Sequence, residues 1–246
     1  MSKQEVFPGL HTVAALLKYQ PDRIQTLWIE QNKDNQRIQE CLTVANQLGV
    51  SIQTMQRAKL DRLCEATQHQ GIAASCSVTQ LQDEHTILDM VNNTCPPLLL
   101  ILDEVSDPHN LGACLRTADA AGVDAVIMPQ RHAAPLSPTV HKIASGATVT
   151  LKIHRTPNLA RCIDNLKKVG IWIYGADGSA QKTLYAADLT VASAIVMGAE
   201  GQGLRRLTRE KCDHLCALPM FGQVESLNVS VATGLFLYEA VRQRQA

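Results

Sequence analysis

Residues 98–122, LLLILDEVSDPHNLGACLRTADAAG, decide how the rest of this chain is read. The unbroken apolar run from Leu98 to Leu102 closes on Asp103 and Glu104, the pattern of a strand buried on both faces. Ser106, Asp107, Pro108 and Asn110 then supply turn and helix-start chemistry, with Asn110 expected as the N-cap. Leu111, Cys114, Leu115 and Ala118 follow at helical spacing. Arg116 lies off that stripe. Its Cβ points toward the helix N-terminus, over Gly112, which has no side chain to block it. The guanidinium is thereby aimed at the strand-to-helix junction, the edge at which open α/β sheets hold ligands. The plainer alternative is a pair with Asp119 three residues on, worth a few tenths of a kcal/mol.

A chain of 246 residues accommodates one large domain or two smaller ones. Its 23 Lys+Arg balance 23 Asp+Glu, which argues against a nonspecific nucleic-acid coat and leaves room for a local basic patch. None of the 8 cysteines forms C-x-x-C, and Cys212 with Cys216 lacks further ligands at zinc-site spacing, so no metal is expected. Buried, reduced thiols are the expectation. The start, MSKQEVFPGL, has no apolar core of a signal peptide, and no apolar run reaches bilayer length. The reading is a cytoplasmic protein without a membrane segment.

Residues 1–76 read as a first α/β unit. Leu10, Val13, Ala14, Leu16 and Leu17 mark a helix, and Ile38, Leu42, Ala45 and Leu48 a second one stopped by Gly49. Strands are expected at 27–30, 50–54 and 72–76, with a polar helix over 57–66 whose Arg57, Lys59 and Arg62 suit a solvated face. Residues 77–97, with Gln80, Gln82, Asp83 and Pro96-Pro97, suit a linker holding a short helix. From 98 to 246 one theme repeats, with further strands at 125–128, 149–153, 171–174, 194–197 and 215–218 and helices over 157–169 and 228–242. Such alternation predicts a mostly parallel sheet covered on both faces. Neither a Walker A signature nor a strand-linked G-x-G-x-x-G is present.

Two strands run into glycine, at Gly175-Ala176-Asp177-Gly178 and at Gly198-Ala199-Glu200-Gly201-Gln202-Gly203. Glycine there admits close ligand approach or positive φ, and a tight turn is the plainer reading of the first site. At the second, three glycines flank one carboxylate and a helix start follows, so Glu200 can accept from a ligand hydroxyl or hold Arg116. Ser226 or Asn228 can cap the final helix. That helix is apolar on more than one face, which fits a subunit interface approached closely at Ser230, Ala232, Thr233 and Gly234, or a buried core helix.

Asp107-Pro108-His109-Asn110-Leu111-Gly112-Ala113 through Arg116, Val196-Met197-Gly198-Ala199-Glu200-Gly201, and Leu218-Pro219-Met220 with Ser226-Leu227-Asn228-Val229-Ser230-Val231-Ala232 resemble, in order and spacing, the three motifs of the SpoU (TrmH) family of RNA ribose 2'-O-methyltransferases. The resemblance runs from Leu98 to the C-terminus. Gly9-Leu10-His11-Thr12-Val13 and His69-Gln70-Gly71-Ile72-Ala73 resemble the L30e-like RNA-binding domain that precedes some of these enzymes. NLGACLR, VMGAEG, RRLTRE and SLNVSVATG are most similar to the members that methylate a guanosine of 23S ribosomal RNA.

The resemblance implies S-adenosylmethionine as donor, a homodimer, and a trefoil knot that threads residues 218–228 through an earlier loop. It implies an L30e-like domain over 1–76, a linker over 77–97 and an α/β-knot methyltransferase domain over 98–246. It assigns Asn110, Arg116, Glu200 and Asn228 to catalysis. Gly198, Leu218 and Leu227 are expected to hold the cofactor, with Gly175, Ala176 and Ser226 nearby. By the same resemblance Arg116 is the proposed base, which sits badly with a guanidinium that keeps its proton in proteins. A fork gripping RNA phosphate and stabilising a developing alkoxide, oriented by Glu200 and Asn110, suits arginine better. The rivals are a transfer-RNA ribose methyltransferase and a noncatalytic RNA-binding factor on the same fold. The N-terminal unit argues against the first, and the intact Asn110, Arg116, Glu200 and Asn228 against the second.

Overall fold

The computed structural model describes residues 4–33, 35–65, 68–78, 81, 84–93 and 96–245. Ala66, expected to end a helix, and Gln80, Gln82 and Asp83 of the expected linker lie outside them. The first elements are β1 (Gln4–Pro8), α1 (Leu10–Tyr19), β2 (Ile24–Glu30), α2 (Gln36–Gln47), β3 (Ile52–Met55), α3 (Arg57–Leu63) and β4 (Ile72–Ser77). Next come α4 (Glu84–Asn93), β5 (Leu98–Leu102), α5 (Pro108–Ala120), β6 (Ala125–Pro129), α6 (Pro138–Ile143), α7 (Ala147–Thr150) and β7 (Ile153–Thr156). The chain ends with α8 (Leu159–Lys168), β8 (Trp172–Ala176), β9 (Ser193–Met197), α9 (Arg206–Lys211), β10 (His214–Cys216) and α10 (Val229–Gln245). It divides into two units, Met1–Gln80 with Pro135–Thr150, and Leu81–Ala134 with Leu151–Ala246.

In the first unit a four-stranded mixed sheet runs β1-β4-β2-β3. β1, which the sequence pattern missed, is a short strand at the sheet's edge, antiparallel to β4. Gly49 ends α2 in the left-handed region at φ 69°, and the Val50 amide bonds back to the Ala45 carbonyl. His69 is buried and fixes the turn before β4. Its Nδ1 accepts from the Gly71 amide at 2.9 Å, which leaves Nε2 to donate to Asp61 at 3.0 Å.

The strand expected at 149–153 is a correction. Residues 147–150 form α7, and β7 begins only at Ile153. The β-branched run there favours a strand locally, but Gly146 turns the chain at φ 102° and Val149 enters the first unit's core. The Val149 carbonyl accepts from Gln20 Nε2 at 2.7 Å, and Thr12 Oγ1 donates to the His141 carbonyl at 3.1 Å. Tertiary packing overrides propensity at this point.

The second unit is built on a six-stranded, all-parallel sheet ordered β10-β8-β9-β5-β6-β7. Every residue of β5, β6 and β9 is buried, as their unbroken apolar runs require. Ile87 of α4 joins the same core, so the stretch read as a linker carries a packed helix. The N-cap of α5 is also a correction. Asp107, not Asn110, holds that place, its Oδ2 accepting from the Asn110 amide at 2.7 Å with Pro108 opening the helix. Asn110 is thereby released for other work.

α10 packs one face on α5 and β9. Thr233 is fully buried, its Oγ1 3.4 Å from Cys114 Sγ, and a Cβ on Gly234 would stand 3.7 Å from Thr117. The small residues expected at a subunit interface at these two positions therefore serve contact with α5. Leu227, Val231, Leu235 and Tyr238 form a separate, exposed apolar stripe. Among the described residues no helix is long and apolar enough to cross a membrane.

Candidate active site

β8, β9 and β5 end side by side, and the residues that follow them are Asp177, Gly198 and Asp103. Asp103 is fully buried. Its Oδ1 accepts from Arg205 Nε at 2.7 Å and meets Nη2 at 2.6 Å, while Oδ2 accepts from the Arg205 amide at 3.1 Å. Glu104 takes the remaining arm, Arg205 Nη1, at 3.0 Å. This fork-to-carboxylate grip anchors the far end of the 198–205 loop to β5.

The loop folds back on itself. The Ala199 and Gly203 backbones exchange hydrogen bonds of 3.1 and 2.9 Å, and Gly201 and Gly203 take φ 77° and 68°. A Cβ on Gly198 would stand 2.1 Å from the Gly203 carbonyl carbon and 2.4 Å from the Leu204 nitrogen. Only glycine fits there.

A cavity of about 480 Å³ opens along this loop, lined by Ala176, Gly198, Leu218, Ser226, Leu227 and Asn228 among others. A second cavity, of about 350 Å³, is lined by Ser106, Asp107, Asn110 and His132. Ala199, Glu200, Gln202 and Val229 border both. Three polar side chains form the partition. Asn110 Nδ2 donates to Glu200 Oε2 at 2.9 Å, and Asn228 Nδ2 donates to Asn110 Oδ1 at 2.9 Å and to Glu200 Oε1 at 3.4 Å. Asn228 Oδ1 in turn accepts from the Ser230 amide at 2.9 Å and hydroxyl at 2.6 Å, so Asn228 rather than Ser226 caps α10. Each side chain is oriented by another; Glu200 and Asn228 are exposed at the rim and Asn110 is half-buried.

Residues 97–238 match the family model described as SpoU rRNA Methylase, and residues 8–81 match RNA 2'-O ribose methyltransferase substrate binding. The chain belongs to the SpoU rRNA methylase family. A relative from Shewanella oneidensis, 49% identical with full coverage of both chains, is named 23S rRNA (guanosine-2'-O-)-methyltransferase RlmB. One from Vibrio vulnificus carries the same name at 48% identity, covering 100% of this chain and 99% of its own. A crystal structure of an RNA 2'-O ribose methyltransferase superposes with a TM-score of 0.83 at 25% identity, over 100% of this chain and 90% of that one. The SpoU methyltransferase AviRb from Streptomyces viridochromogenes, solved in complex with AdoMet, shares the fold at a TM-score of 0.81 and 23% identity, over 98% and 91% of the two chains.

Within this SpoU chain, Asn110, Glu200 and Asn228 come together, and Ala176, Gly198, Leu218, Ser226 and Leu227 line one cavity. Two expected residues do not join them. Gly175 is not among the residues that line the cavity, and a Cβ on it would meet Cys212 Sγ at 2.7 Å and Leu204 at 2.8 Å. Arg116 is exposed on α5 and lines neither cavity. Glu200 is engaged by the two asparagines instead of holding Arg116.

Sequence reading missed Asp177 and the Asp103–Arg205 pair. Asp177 borders the larger cavity; its Oδ1 accepts from the Ser179 amide at 2.8 Å and hydroxyl at 2.6 Å, and its Oδ2 from Arg209 Nε at 2.5 Å. Burial pushes this carboxyl up, but Ser179 and Arg209 outweigh it and hold it below the usual carboxylate range. A carboxylate directly after a buried strand was the available signal at both places. Among the described residues no group of His, Cys, Asp and Glu is arranged to hold a metal ion. Burial raises the Cys114 thiol to about 11 and Cys212 to about 12, which makes both poor nucleophiles.

Proposed function

We propose that this chain transfers a methyl group from S-adenosylmethionine to the ribose 2'-hydroxyl of a guanosine in 23S ribosomal RNA, acting as a cytoplasmic homodimer. The observation that carries the reading is the polar partition between two cavities, which suits a donor on one side and an acceptor nucleoside on the other. The larger cavity, about 480 Å³, falls within the range of small-molecule sites. Leu218, Leu227 and Phe236 offer apolar walls for an adenine ring, and the Asp177 and Glu200 carboxylates offset a sulfonium and an ammonium. When bound there, S-adenosylmethionine supplies an electrophilic methyl group.

The chain's own task is to hold the 2'-hydroxyl against that methyl and stabilise the oxygen as it loses its proton. Asn110 and Glu200 face the acceptor cavity and are the groups that position the hydroxyl. Asn228, held by the α10 N-terminus and by both partners, fixes them from the donor side. The proton passes to a phosphate oxygen or a water, since a guanidinium stays charged at any working pH.

The exposed stripe starts at Leu227, which lies just before α10 and also lines the donor cavity, and α5 packs on another face of α10. A symmetric pair formed through this stripe would complete the site with Arg116 of the partner subunit, whose fork would grip RNA phosphate and the developing alkoxide. The return of the chain from edge strand β10 past the 198–203 loop to α10 supports the knotted path.

The test is methyl transfer from isotopically labelled S-adenosylmethionine to 23S ribosomal RNA, with transfer RNA as the competing acceptor, followed by mapping of ribose methylation. Label on a guanosine ribose of 23S RNA is expected. Label on transfer RNA alone, or on a base, would overturn the reading.

A further inference from the structure

The first unit holds a small cavity, about 170 Å³, that three distant stretches of chain build together, at 8–12, 68–70 and 142–145. Its wall includes Gly9, His11, Gln68, Gln70, Lys142 and Ser145. Among the described residues no carboxylate lines it, although carboxylates are as numerous as cations in the chain. Lys142 is the one full cation of the lining. Among the described residues its ammonium donates to the neutral Gln68 Oε1, at a long 3.4 Å and in an exposed position, and pairs with no carboxylate. The ammonium is partly desolvated, which pulls its pKa below the ordinary lysine value. A cation that borders a cavity with no carboxylate in its lining is placed to take an anionic ligand.

The remaining groups suit the same ligand. Gln70 Oε1 is occupied by the Leu10 amide at 3.3 Å, so its terminal NH₂ is the part left to donate. His11 and Ser145 add an imidazole and a hydroxyl, and the His11 and Thr12 amides precede the first intrahelical bond of α1. The volume lies below the roughly 300–1,000 Å³ of sites that enclose a whole small molecule. A single phosphate group with its flanking chain outside is the fitting occupant.

We infer that this cavity is a phosphate subsite for the RNA backbone, closed by Lys142 from the methyltransferase part of the sequence onto the substrate-binding unit. The inference rests on the RNA-methylating reading above and adds to it a point where the RNA is held away from the reacting ribose. It also gives residues 135–150 a reason to fold with Met1–Gln80.

The experiment measures RNA binding by the full chain over a series of salt concentrations, and steady-state methyl transfer, for wild type, Lys142→Ala, Lys142→Arg and His11→Asn. Lys142→Ala is expected to weaken RNA binding about tenfold, raise KM for RNA with kcat and the KM for S-adenosylmethionine held, and lower the slope of log affinity against log salt by about 0.7–1, one phosphate contact. Lys142→Arg should recover most of the binding, and His11→Asn should give a smaller loss with the slope retained. If Lys142→Ala unfolds the protein, the Arg and Asn variants still decide the matter. Unchanged RNA affinity and slope in folded variants would overturn the subsite while wild-type methylation still upheld the enzyme. Inorganic phosphate that binds wild type and not the Lys142 variant, with RNA affinity unchanged, would reassign the cavity to a free anion and also overturn it.

Discussion

In the unit built on the mixed sheet, His69, His141 and Thr12 are sealed from solvent and bonded within that unit. At the end of the parallel sheet Asn110, Glu200 and Asn228 are bonded just as closely to one another, yet Glu200 and Asn228 are exposed and Asn110 only half-buried at the rim of two cavities. The same residue chemistry thus serves two ends. Buried polar groups contribute through geometry that nothing else can satisfy, and losing a partner costs stability. Rim groups can exchange their mutual bonds for bonds to a substrate, and losing one costs rate. Substitutions should therefore separate into those that disable the protein while leaving it folded and those that unfold it while sparing the chemistry.

The largest effect is expected at Gly198. A Cβ there would overlap loop backbone at 2.1 Å, which neither a rotamer change nor a side-chain shift relieves. Backbone clashes of this kind belong with the exceptional substitutions costing more than about 4 kcal/mol, equivalent to about a thousandfold in affinity. Gly198→Ala should abolish S-adenosylmethionine binding in calorimetry. Retained affinity would show that the loop is not the donor's cradle.

Next comes Glu200→Ala, which removes the centre of the partition. Loss of about 10²–10³ in kcat is expected, in line with removal of one preorganised group at a reacting oxygen. Thermal stability should change little, because the site is exposed and the sheet beneath is intact. A large fall in melting temperature with kcat preserved would reverse the distinction between rim and core.

Arg116 offers a sharper comparison, since it is exposed in the single chain. Arg116→Lys keeps the charge and loses the fork, and should cost tenfold or more in methyl transfer. Mixing inactive Arg116→Ala and Glu200→Ala chains should restore activity, because one site of each mixed dimer then holds Glu200 from one chain and Arg116 from the other. No recovery in a dimer shown to have exchanged subunits would place Arg116 in its own chain's chemistry or outside it altogether.

How far each region could be read from the sequence follows from the same contrast. β5, β6 and β9 were legible because a strand covered on both faces must be apolar throughout. The 149–153 stretch misled because its β-branched residues suit a strand locally, while Gly146 and the burial of Val149 in another unit are non-local facts. Asn110 was misread as a cap because Asp107, three residues earlier, competes for that role. The convergence of Asn110, Glu200 and Asn228 rested on motif resemblance, since residues 90 and 118 positions away from Asn110 carry no mark of contact in their spacing. That Arg116 lies off the apolar stripe was legible, but its absence from both cavities was not, because helical spacing gives its direction on α5 and says nothing of what stands opposite.

The smallest effect tests the buried side of the comparison through pH. His141 is fully buried, with Nδ1 2.9 Å from Thr148 Oγ1 and its ring 3.9 Å from that of Phe7. Burial first, and the nearby Arg23 charge second, lower its pKa from 6.5 to about 3. The folded ring is therefore neutral while the unfolded one takes up a proton below about 6.5, so its contribution is fully present above that pH and is lost as pH falls toward 3. At about 1.4 kcal/mol per pH unit, wild type should lose about 2 kcal/mol of unfolding free energy between pH 7 and pH 5. Asp177 and Glu239, both held below the ordinary carboxylate range, add their own losses only at lower pH, which keeps this window for histidine. Urea unfolding of His141→Gln should show a starting stability lower than wild type and a flatter dependence across that window. A slope equal to that of wild type would mean that the ring is not held neutral by its surroundings, and the distinction between sealed and rim polar groups would lose its thermodynamic support.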